Sequence, residues 1–380
     1  MILTNCAACA APLAHNAPRC VRCWTRYCDA TCQHDHWRRG HKQMCKKIHR
    51  GGNAEQYNAD KKYKEAVAVA VAKCAEDTKG QTCYICTQAL HWKTKEGLVR
   101  GCACRGTAGF AHVSCLAEQA KILLAEAEEN NLDEKALQER WTRWHACSLC
   151  EQDYHGVVAC ALGWACWKTY VGRPEADQLR GCAMNQLGNG LSETDQHKDA
   201  LSVRETELAM RRRLGSPEQQ ILALQNNLAN SYEALGRDES AMSLRKGVYS
   251  AFLKLYGEEH RSTLLEADNY AMSLLNLERV EEAKSLLLQI MPVARRVLGD
   301  NDEITLKMRR NYAQTLYMDD SATLDDLREA VTTIEELERI ARRVFGGAHP
   351  LVVGIEGELR NSRTVLRARE DGKEVQFVKH

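Results

Sequence analysis

Two runs of the chain, residues 6–45 and 83–150, each place seven cysteines and one of their histidines at spacings that few folds other than a metal-organised one would use. The first reads Cys6-x2-Cys9-x10-Cys20-x2-Cys23-x4-Cys28-x3-Cys32-x8-His41-x3-Cys45. Seven thiols and one imidazole are the complement of two tetrahedral zinc ions. Cys6/Cys9 and Cys20/Cys23 form two-residue knuckles that let both sulfurs reach one ion. Cys28/Cys32 and His41/Cys45 are four apart, which predicts each pair on one face of a helical turn. His34 and His36, inside the same YCDATCQHDHWRRGHKQMC stretch, are surplus to four-coordination and are expected at the surface or behind a ligand. A catalytic zinc keeps an open position, whereas every site here closes with four protein ligands, so structural metal is expected.

The cysteine usage has a compartment reading. MILTNCAACAAPLA lacks a charged start followed by an apolar core. The apolar stretch VVACALGWACW at 157–167 is too short to span a bilayer. An intracellular protein, cytoplasmic or nuclear, is therefore expected, and reducing compartments favour thiolate–metal sites over disulfides. At 380 residues, 44% hydrophobic and 27% charged, the chain has the length of roughly two or three globular domains. Net charge is +1, yet residues 1–73 hold thirteen Lys and Arg against five Asp and Glu. Nucleic acid is not expected as a partner, because that basic region lacks interleaved stacking aromatics and the remaining chain is not basic.

The eight ligands of the first run, followed by the basic HKQMCKK tail, resemble the MYND-type zinc finger. The resemblance implies interleaved sites: Cys6, Cys9, Cys28 and Cys32 on one zinc, and Cys20, Cys23, His41 and Cys45 on the other. A module of some fifty residues buries too little apolar surface to fold alone, so the metals would supply its stability, on the order of 10 kcal/mol per ion.

The second run reads Cys83-x2-Cys86-x15-Cys102-x-Cys104-x7-His112-x2-Cys115-x31-Cys147-x2-Cys150. The C4HC3 order is shared by PHD and RING-CH fingers. One residue between the third and fourth ligands, seven before the histidine, and the words GCACRGTAGFAHVSCL and CSLCEQDYHG make it similar to RING-CH. That resemblance implies Cys83, Cys86, His112 and Cys115 on one zinc and Cys102, Cys104, Cys147 and Cys150 on the other. RING-CH fingers typically belong to ubiquitin ligases, which position a charged ubiquitin-conjugating enzyme rather than react covalently. Ile85 and Leu149, inside the first and last knuckles, are where that contact would fall. The family usually has Trp where this chain has Gln119, and the long stretch before the last cysteine pair is helical in pattern; Trp141 and Trp144 within it are read as helix core. Cys74, Cys160, Cys166 and Cys182 form no knuckle and are expected as buried small hydrophobes. The AVAVAVA stretch between the runs is flanked by helix formers and is read as one helix.

From about residue 155 a period replaces the metal chemistry. Gly172, Gly215, Gly257, Gly299 and Gly346 follow apolar residues at gaps of 43, 42, 42 and 47. Leu187, Leu228, Tyr270 and Tyr312 keep the same step, as do Ala200, Ala241, Ala283 and Ala330. Stacked helix–turn–helix units follow, each closed by a glycine suited to a left-handed cap. The last unit's extra five residues are assigned to its MDDSATLDD turn. This resembles tetratricopeptide (TPR) repeats of the 42-residue kinesin-light-chain kind. Such stacks present a groove lined mainly by first helices. Asn227, Asn269 and Asn311, with Gln186 at the matching earlier place, form an amide ladder suited to an extended peptide backbone.

The expected fold is mostly α: two small cross-brace zinc fingers followed by a TPR-like α-solenoid. The expected organisation is a MYND-type finger at 1–50, a helical linker at 51–81, a RING-CH-type finger at 82–155, repeats with a capping helix at 156–368, and a tail at 369–380. The expected function is a zinc-binding protein–protein interaction scaffold with four structural zinc ions, whose groove and MYND-type finger take proteins or peptides. The alternative is a soluble E3 ubiquitin-protein ligase in which the repeats receive the substrate and the second finger recruits a ubiquitin-conjugating enzyme.

Overall fold

The computed structural model describes residues 5–14, 16–345 and 349–372; among these, the regular elements are helices, and β pairing is limited to isolated bridges. Asp29 caps the first helix, α1 (Ala30–His36), its side chain accepting from the Cys32 N–H at 2.8 Å. A five-residue π-helical turn, Trp37–His41, with Gly40 at φ 123°, joins it to α2 (Lys42–Arg50). Cys28 therefore lies ahead of the cap rather than on a helical turn with Cys32, because the four-residue spacing straddles the residue that starts the helix. His41 closes the π turn and Cys45 lies in α2.

Next comes α3 (Ala54–Cys74), capped by Asn53 and including the AVAVAVA stretch. It is helical because no turn former interrupts it and Ala59, Tyr63, Val67, Ala70 and Cys74 are buried along one face. After a long loop region come α4 (Val113–Glu129), α5 (Glu134–Trp141), a single 3-10 turn at Thr142–Trp144, and α6 (Gly156–Tyr170). The repeats follow as pairs: α7 (Gln178–Ser192) with α8 (His197–Arg213), α9 (Glu218–Glu233) with α10 (Asp238–Tyr256), α11 (Arg261–Asn276) with α12 (Val280–Leu298), and α13 (Glu303–Met318) with α14 (Leu324–Phe345). A last helix, α15 (Pro350–Glu370), has no second helix after it among the described residues.

The chain divides into two compact units, the first ending at Leu224 and the second starting at Gln225. In the first, α6 is the central element. Nearly every residue from Val158 to Trp167 is buried, and the helix packs on α3, α4 and α7. Trp144 meets Tyr170, the last residue of α6, edge to face, with Trp141 beside both. Glycines on both sides allow α6 and α7 to approach. A Cβ at Gly163 would lie 3.0 Å from the Gln186 carbonyl oxygen, and one at Gly190 would lie 2.7 Å from the Ala159 carbonyl oxygen. Cys74, Cys160 and Cys166 are buried thiols of this core, and Cys182 is half-buried.

In the second unit, the first helices α11, α13 and α15 neighbour one another in turn, each packing on the second helix beside it. Small residues recur where a first helix meets its neighbours: Ala229, Ala271 and Ala313 at one register, and Ser231, Ser273, Thr315 and Ser362 at another, all fully or nearly fully buried. Gly188 and Gly190 hold the same two registers in α7. A partly buried polar tie also repeats: Arg204 donates to Asn189 at 3.0 Å, and 41 residues on Arg245 donates to Asn230 at 2.6 Å and to Glu233 at 2.8 Å. One unit later the corresponding residues are Leu287 and Met272, which cannot form this tie.

The unit boundaries show where the glycine period holds. Gly215, Gly257 and Gly299 take left-handed φ of 67°, 79° and 91°, whereas Gly172 does not, since α6 runs on into an ordinary turn; Gly346 lies outside the described residues. The turns inside the units also use a left-handed residue, at Asp195, Gly236 and Glu278, so glycine marks only one of three. The five extra residues of the last unit are shared. The turn at 319–323 is longer than its counterpart at 277–279, and α14 has 22 residues against 19 in α12. Thr323 and Asp326 close that turn with a reciprocal cap: the Thr323 N–H donates to the Asp326 carboxylate at 2.8 Å, and the Asp326 N–H to the Thr323 hydroxyl at 3.2 Å.

Two glycine substitutions test this packing with opposite signs. Gly190→Ala drives a methyl into the α6 backbone and is expected to lower stability by about 1–3 kcal/mol. Gly247→Ala, on an exposed position of α10 with open space around it, is expected to raise stability by about 0.5–1 kcal/mol. Thermal unfolding followed by far-UV circular dichroism reads both.

Candidate metal centres

Five turns of one backbone design build the two cysteine-rich regions. In each, the first residue donates its N–H to the carbonyl five residues on: Cys6 to Ala11 (2.8 Å), Cys20 to Thr25 (2.7 Å), Cys83 to Gln88 (3.0 Å), His91 to Glu96 (3.0 Å) and Cys147 to Gln152 (2.9 Å). The first residue's carbonyl then accepts from the fifth residue's N–H, and that fifth residue is left-handed: Ala10, Trp24, Thr87, Lys95 and Glu151, with φ between 57° and 63°. None of the five is glycine. Four turns carry Cys-x2-Cys, and inside three of them backbone N–H groups point at the first sulfur, from Ala8 to Cys6, Ile85 to Cys83 and Leu149 to Cys147, each at 3.4 Å. The turn thus aims two sulfurs at one point and supplies hydrogen bonds that favour a thiolate.

Four sets of donor atoms converge, the atoms of each set within 4.8 Å of one another: Cys6, Cys9, Cys28 and Cys32; Cys20, Cys23, His41 and Cys45; Cys83, Cys86, His112 and Cys115; Cys102, Cys104, Cys147 and Cys150. Zn–S bonds of about 2.3 Å in a tetrahedron put sulfurs roughly 3.8 Å apart, and a Zn–N bond of about 2.0 Å puts nitrogen and sulfur roughly 3.5 Å apart. The observed separations are 3.6 Å for Cys9–Cys28, 3.8 Å for Cys9–Cys32, 3.7 Å for Cys20–Cys45 and 3.8 Å for Cys104–Cys147. Nitrogen–sulfur separations are 3.3 Å for His41–Cys23, 3.4 Å for His112–Cys86 and 3.5 Å for His112–Cys115. These distances fit a tetrahedral cation and are far too long for disulfides. All four sets could hold a metal ion.

The two histidines enter by different nitrogens, His41 by Nε2 and His112 by Nδ1. His112 Nε2 faces the Ala89 carbonyl at 3.4 Å; a carbonyl only accepts, so that nitrogen carries the proton and leaves the Nδ1 lone pair to the thiols. His36 stacks on His41 with ring centroids 4.7 Å apart and meets the hydroxyl of the buried Tyr27 at 3.1 Å, while His34 is exposed. Without a cation the thiols of one set compete. Burial works to raise Cys6, but backbone N–H groups hold it down at about 6; burial also opposes ionisation of Cys147, which backbone N–H groups hold at about 7. Burial and the neighbouring thiols push Cys32 and Cys45 up to about 12. A divalent ion removes that competition by letting several thiolates coexist.

The partner-facing candidates divide. The Tyr84 hydroxyl lies 3.1 Å from the Ser148 hydroxyl, which sets the first and last knuckles of the second region side by side. From those knuckles Ile85 and Leu149 are 36% and 52% exposed. The amide ladder is not a uniform surface. Asn227 and Asn269 are half-buried, and Asn269 donates to Glu266 at 3.2 Å. Asn311 is 1% exposed, donates to the buried Asp268 at 2.8 Å and accepts from Arg310. Gln186 is buried too, its amide donating to the Trp144 carbonyl at 3.3 Å. Asn311 is therefore an internal tie between α11 and α13 rather than a rung open to a peptide, because neighbouring first helices approach closely enough to enclose it. Sequence reasoning also missed the His91 turn and the arginine ties; the 41-residue spacing shared by Asn189/Asn230 and Arg204/Arg245 was the available signal for the ties.

Comparison with known proteins bears on the repeats. A tetratricopeptide repeat family model matches residues 267–303, from within α11 to the start of α13. Among solved structures, the TPR-like repeats of a Podosopora anserina kinesin light chain align with TM-score 0.41 and 21% identity, over 53% of this chain and 91% of that one. BtubC (BKLC) from P. vanneervenii aligns with TM-score 0.40 and 12% identity, over 70% of this chain and 94% of that one. No curated protein sequence matches significantly. The family match falls on the α11/α12 pair, and the other pairs repeat its helix–turn–helix arrangement.

The asparagines are separable by stability. Asn311→Ala removes the amide donor to a buried carboxylate and is expected to cost about 1–3 kcal/mol. Asn269→Ala, at a half-buried site, is expected to stay within about 0.5 kcal/mol of the parent. Chemical unfolding of the two variants checks the difference.

Proposed function

We propose that the protein is a zinc-structured interaction scaffold. A MYND-type finger at 1–50 and a RING-CH-type finger at 82–155 each hold two zinc ions, a helical linker at 51–81 joins them, and TPR-like repeats at 156–368 with a capping helix engage a protein or peptide. The convergence of four complete four-donor sets carries this reading, because each satisfies a tetrahedral ion with no protein ligand missing. In that role the ions do no chemistry; they replace the core that modules of this size lack. The family match at 267–303 supports partner binding through the repeats.

One observation favours a second reading. The Tyr84–Ser148 contact brings Ile85 and Leu149 to adjacent, exposed positions, an arrangement suited to receiving a ubiquitin-conjugating enzyme. In that case the protein is an E3 ubiquitin-protein ligase, the repeats select the substrate, and catalysis is by positioning.

Both readings are tested on purified full-length protein. Metal analysis is expected to give four zinc ions per chain, and a strong chelator is expected to make the region before residue 155 protease-sensitive while the repeats stay helical. A chelator that leaves the proteolysis pattern unchanged would refute structural zinc. Ubiquitin-transfer assays across a panel of conjugating enzymes separate the readings: chains lost in Cys83→Ser and Ile85→Ala establish the ligase, and silence in every pairing leaves the scaffold.

A further inference from the structure

The His91 turn has the backbone of a metal knuckle without either cysteine, and the contacts around it say what it is for. Its closing hydrogen bonds and its left-handed fifth residue, Lys95, repeat those of the four Cys-x2-Cys turns. Where those turns have sulfur at the first position, this one has the His91 ring. Nδ1 of that ring accepts from the Thr94 N–H at 3.1 Å and lies 2.9 Å from the Thr94 hydroxyl. Hydrogen bonds inside the turn thus stand where a cation would otherwise join the first and fourth residues.

The same segment touches one half of one donor set at three points. The Ala89 carbonyl faces Nε2 of His112 at 3.4 Å. The buried His91 ring meets the His112 ring edge to face, with centroids 5.3 Å apart. The Glu96 carboxylate accepts from the Ser114 N–H at 2.7 Å and from the Ser114 hydroxyl at 2.6 Å. Ser114 lies between His112, the N-cap of α4, and Cys115 in its first turn, so Glu96 fixes the backbone from which both donors project. His112 itself makes no side-chain cap bond, so Glu96 supplies the carboxylate that this helix start lacks in its own first turn.

We propose that residues 89–96 are a metal-free bracket that positions the His112/Cys115 half of the Cys83, Cys86, His112, Cys115 site, with His91 and Glu96 as positioning residues for that ion. The bracket rests on the zinc reading above. It fixes the His112 tautomer through Ala89, the ring plane through His91 and the helix start through Glu96. Outer contacts of this kind typically govern about 10–100-fold in metal affinity. Trp92 lies within the same turn, but its side chain is 69% exposed and makes none of the three contacts to the His112/Cys115 half, so it serves as the control.

The test is stepwise zinc extraction from the full-length, zinc-loaded protein by a competing chelator, with circular dichroism followed in parallel. In Glu96→Gln and His91→Ala, one of four zinc equivalents is expected to be released at about 10–100-fold lower chelator concentration, with the other three and the helical signal unchanged. His91→Asn, which keeps an acceptor for Thr94 but no ring against His112, is expected to fall between His91→Ala and the parent, a gradation that a general loss of fold would not give. Should His91→Ala fail to fold, Thr94→Val, which removes one hydroxyl, is read instead and is expected to loosen the same single equivalent by a smaller factor. Extraction curves for Glu96→Gln and His91→Ala that overlay Trp92→Ala would overturn the bracket, as would loosening of all four ions together. A parent protein that binds no zinc would instead refute the zinc reading on which the bracket stands.

Discussion

Convergence of sulfur and imidazole donors at van der Waals separation is the constraint that shapes the two cysteine-rich regions. Thiols paired at 3.6–3.8 Å within sets no wider than 4.8 Å cannot all ionise beside one another, and neutral thiols offer only weak hydrogen bonds in return for the backbone order they demand. The backbone is nevertheless committed. Ala10, Trp24, Thr87 and Glu151 all take left-handed φ without being glycine, each aiming a cysteine pair inward. A tetrahedral cation would reconcile these demands by turning the crowding of sulfurs into coordination.

The repeats are organised by a different force. Their stability comes from apolar burial at helix–helix contacts, tuned by residue size at the registers where backbones approach. Gly190 opposes the Ala159 carbonyl, and Ser231, Ser273, Thr315 and Ser362 hold the same register in later first helices. Polar groups at these contacts are tied rather than free: Arg245 to Asn230 and Glu233, and Asn311 to Asp268. The Arg245/Asn230 tie does not recur in the next unit, where Leu287 and Met272 stand at the same positions.

Much of the helical architecture was legible because its signals are periodic. The 42-residue step of Leu228, Tyr270 and Tyr312 follows from one packing contact repeated, and the AVAVAVA segment read as helix because nothing near it turns the chain. What escaped was set by geometry without a residue-type signature. The His91 turn shares its fold with the cysteine knuckles but not their cysteines. Asp195 and Glu278 take the conformation that Gly236 advertises. Asn311 has the same residue type and register as Asn269, and only the closeness of α11 and α13 decides that it is buried. Cys28 fell outside α1 because Asp29, one residue later, makes the cap. In each case the residue pattern was consistent with two placements, and the neighbouring element decided between them.

X-ray absorption at the zinc edge, with metal quantified on the same sample of purified full-length protein, tests the metal-centred account most directly. The four donor sets contain fourteen cysteines and two histidines, so four ions per chain with sulfur near 2.3 Å dominating over a minor nitrogen shell near 2.0 Å is the predicted result. Fewer than four ions, or a first shell rich in oxygen, would contradict it, and the cysteine-rich regions would then need another source of order.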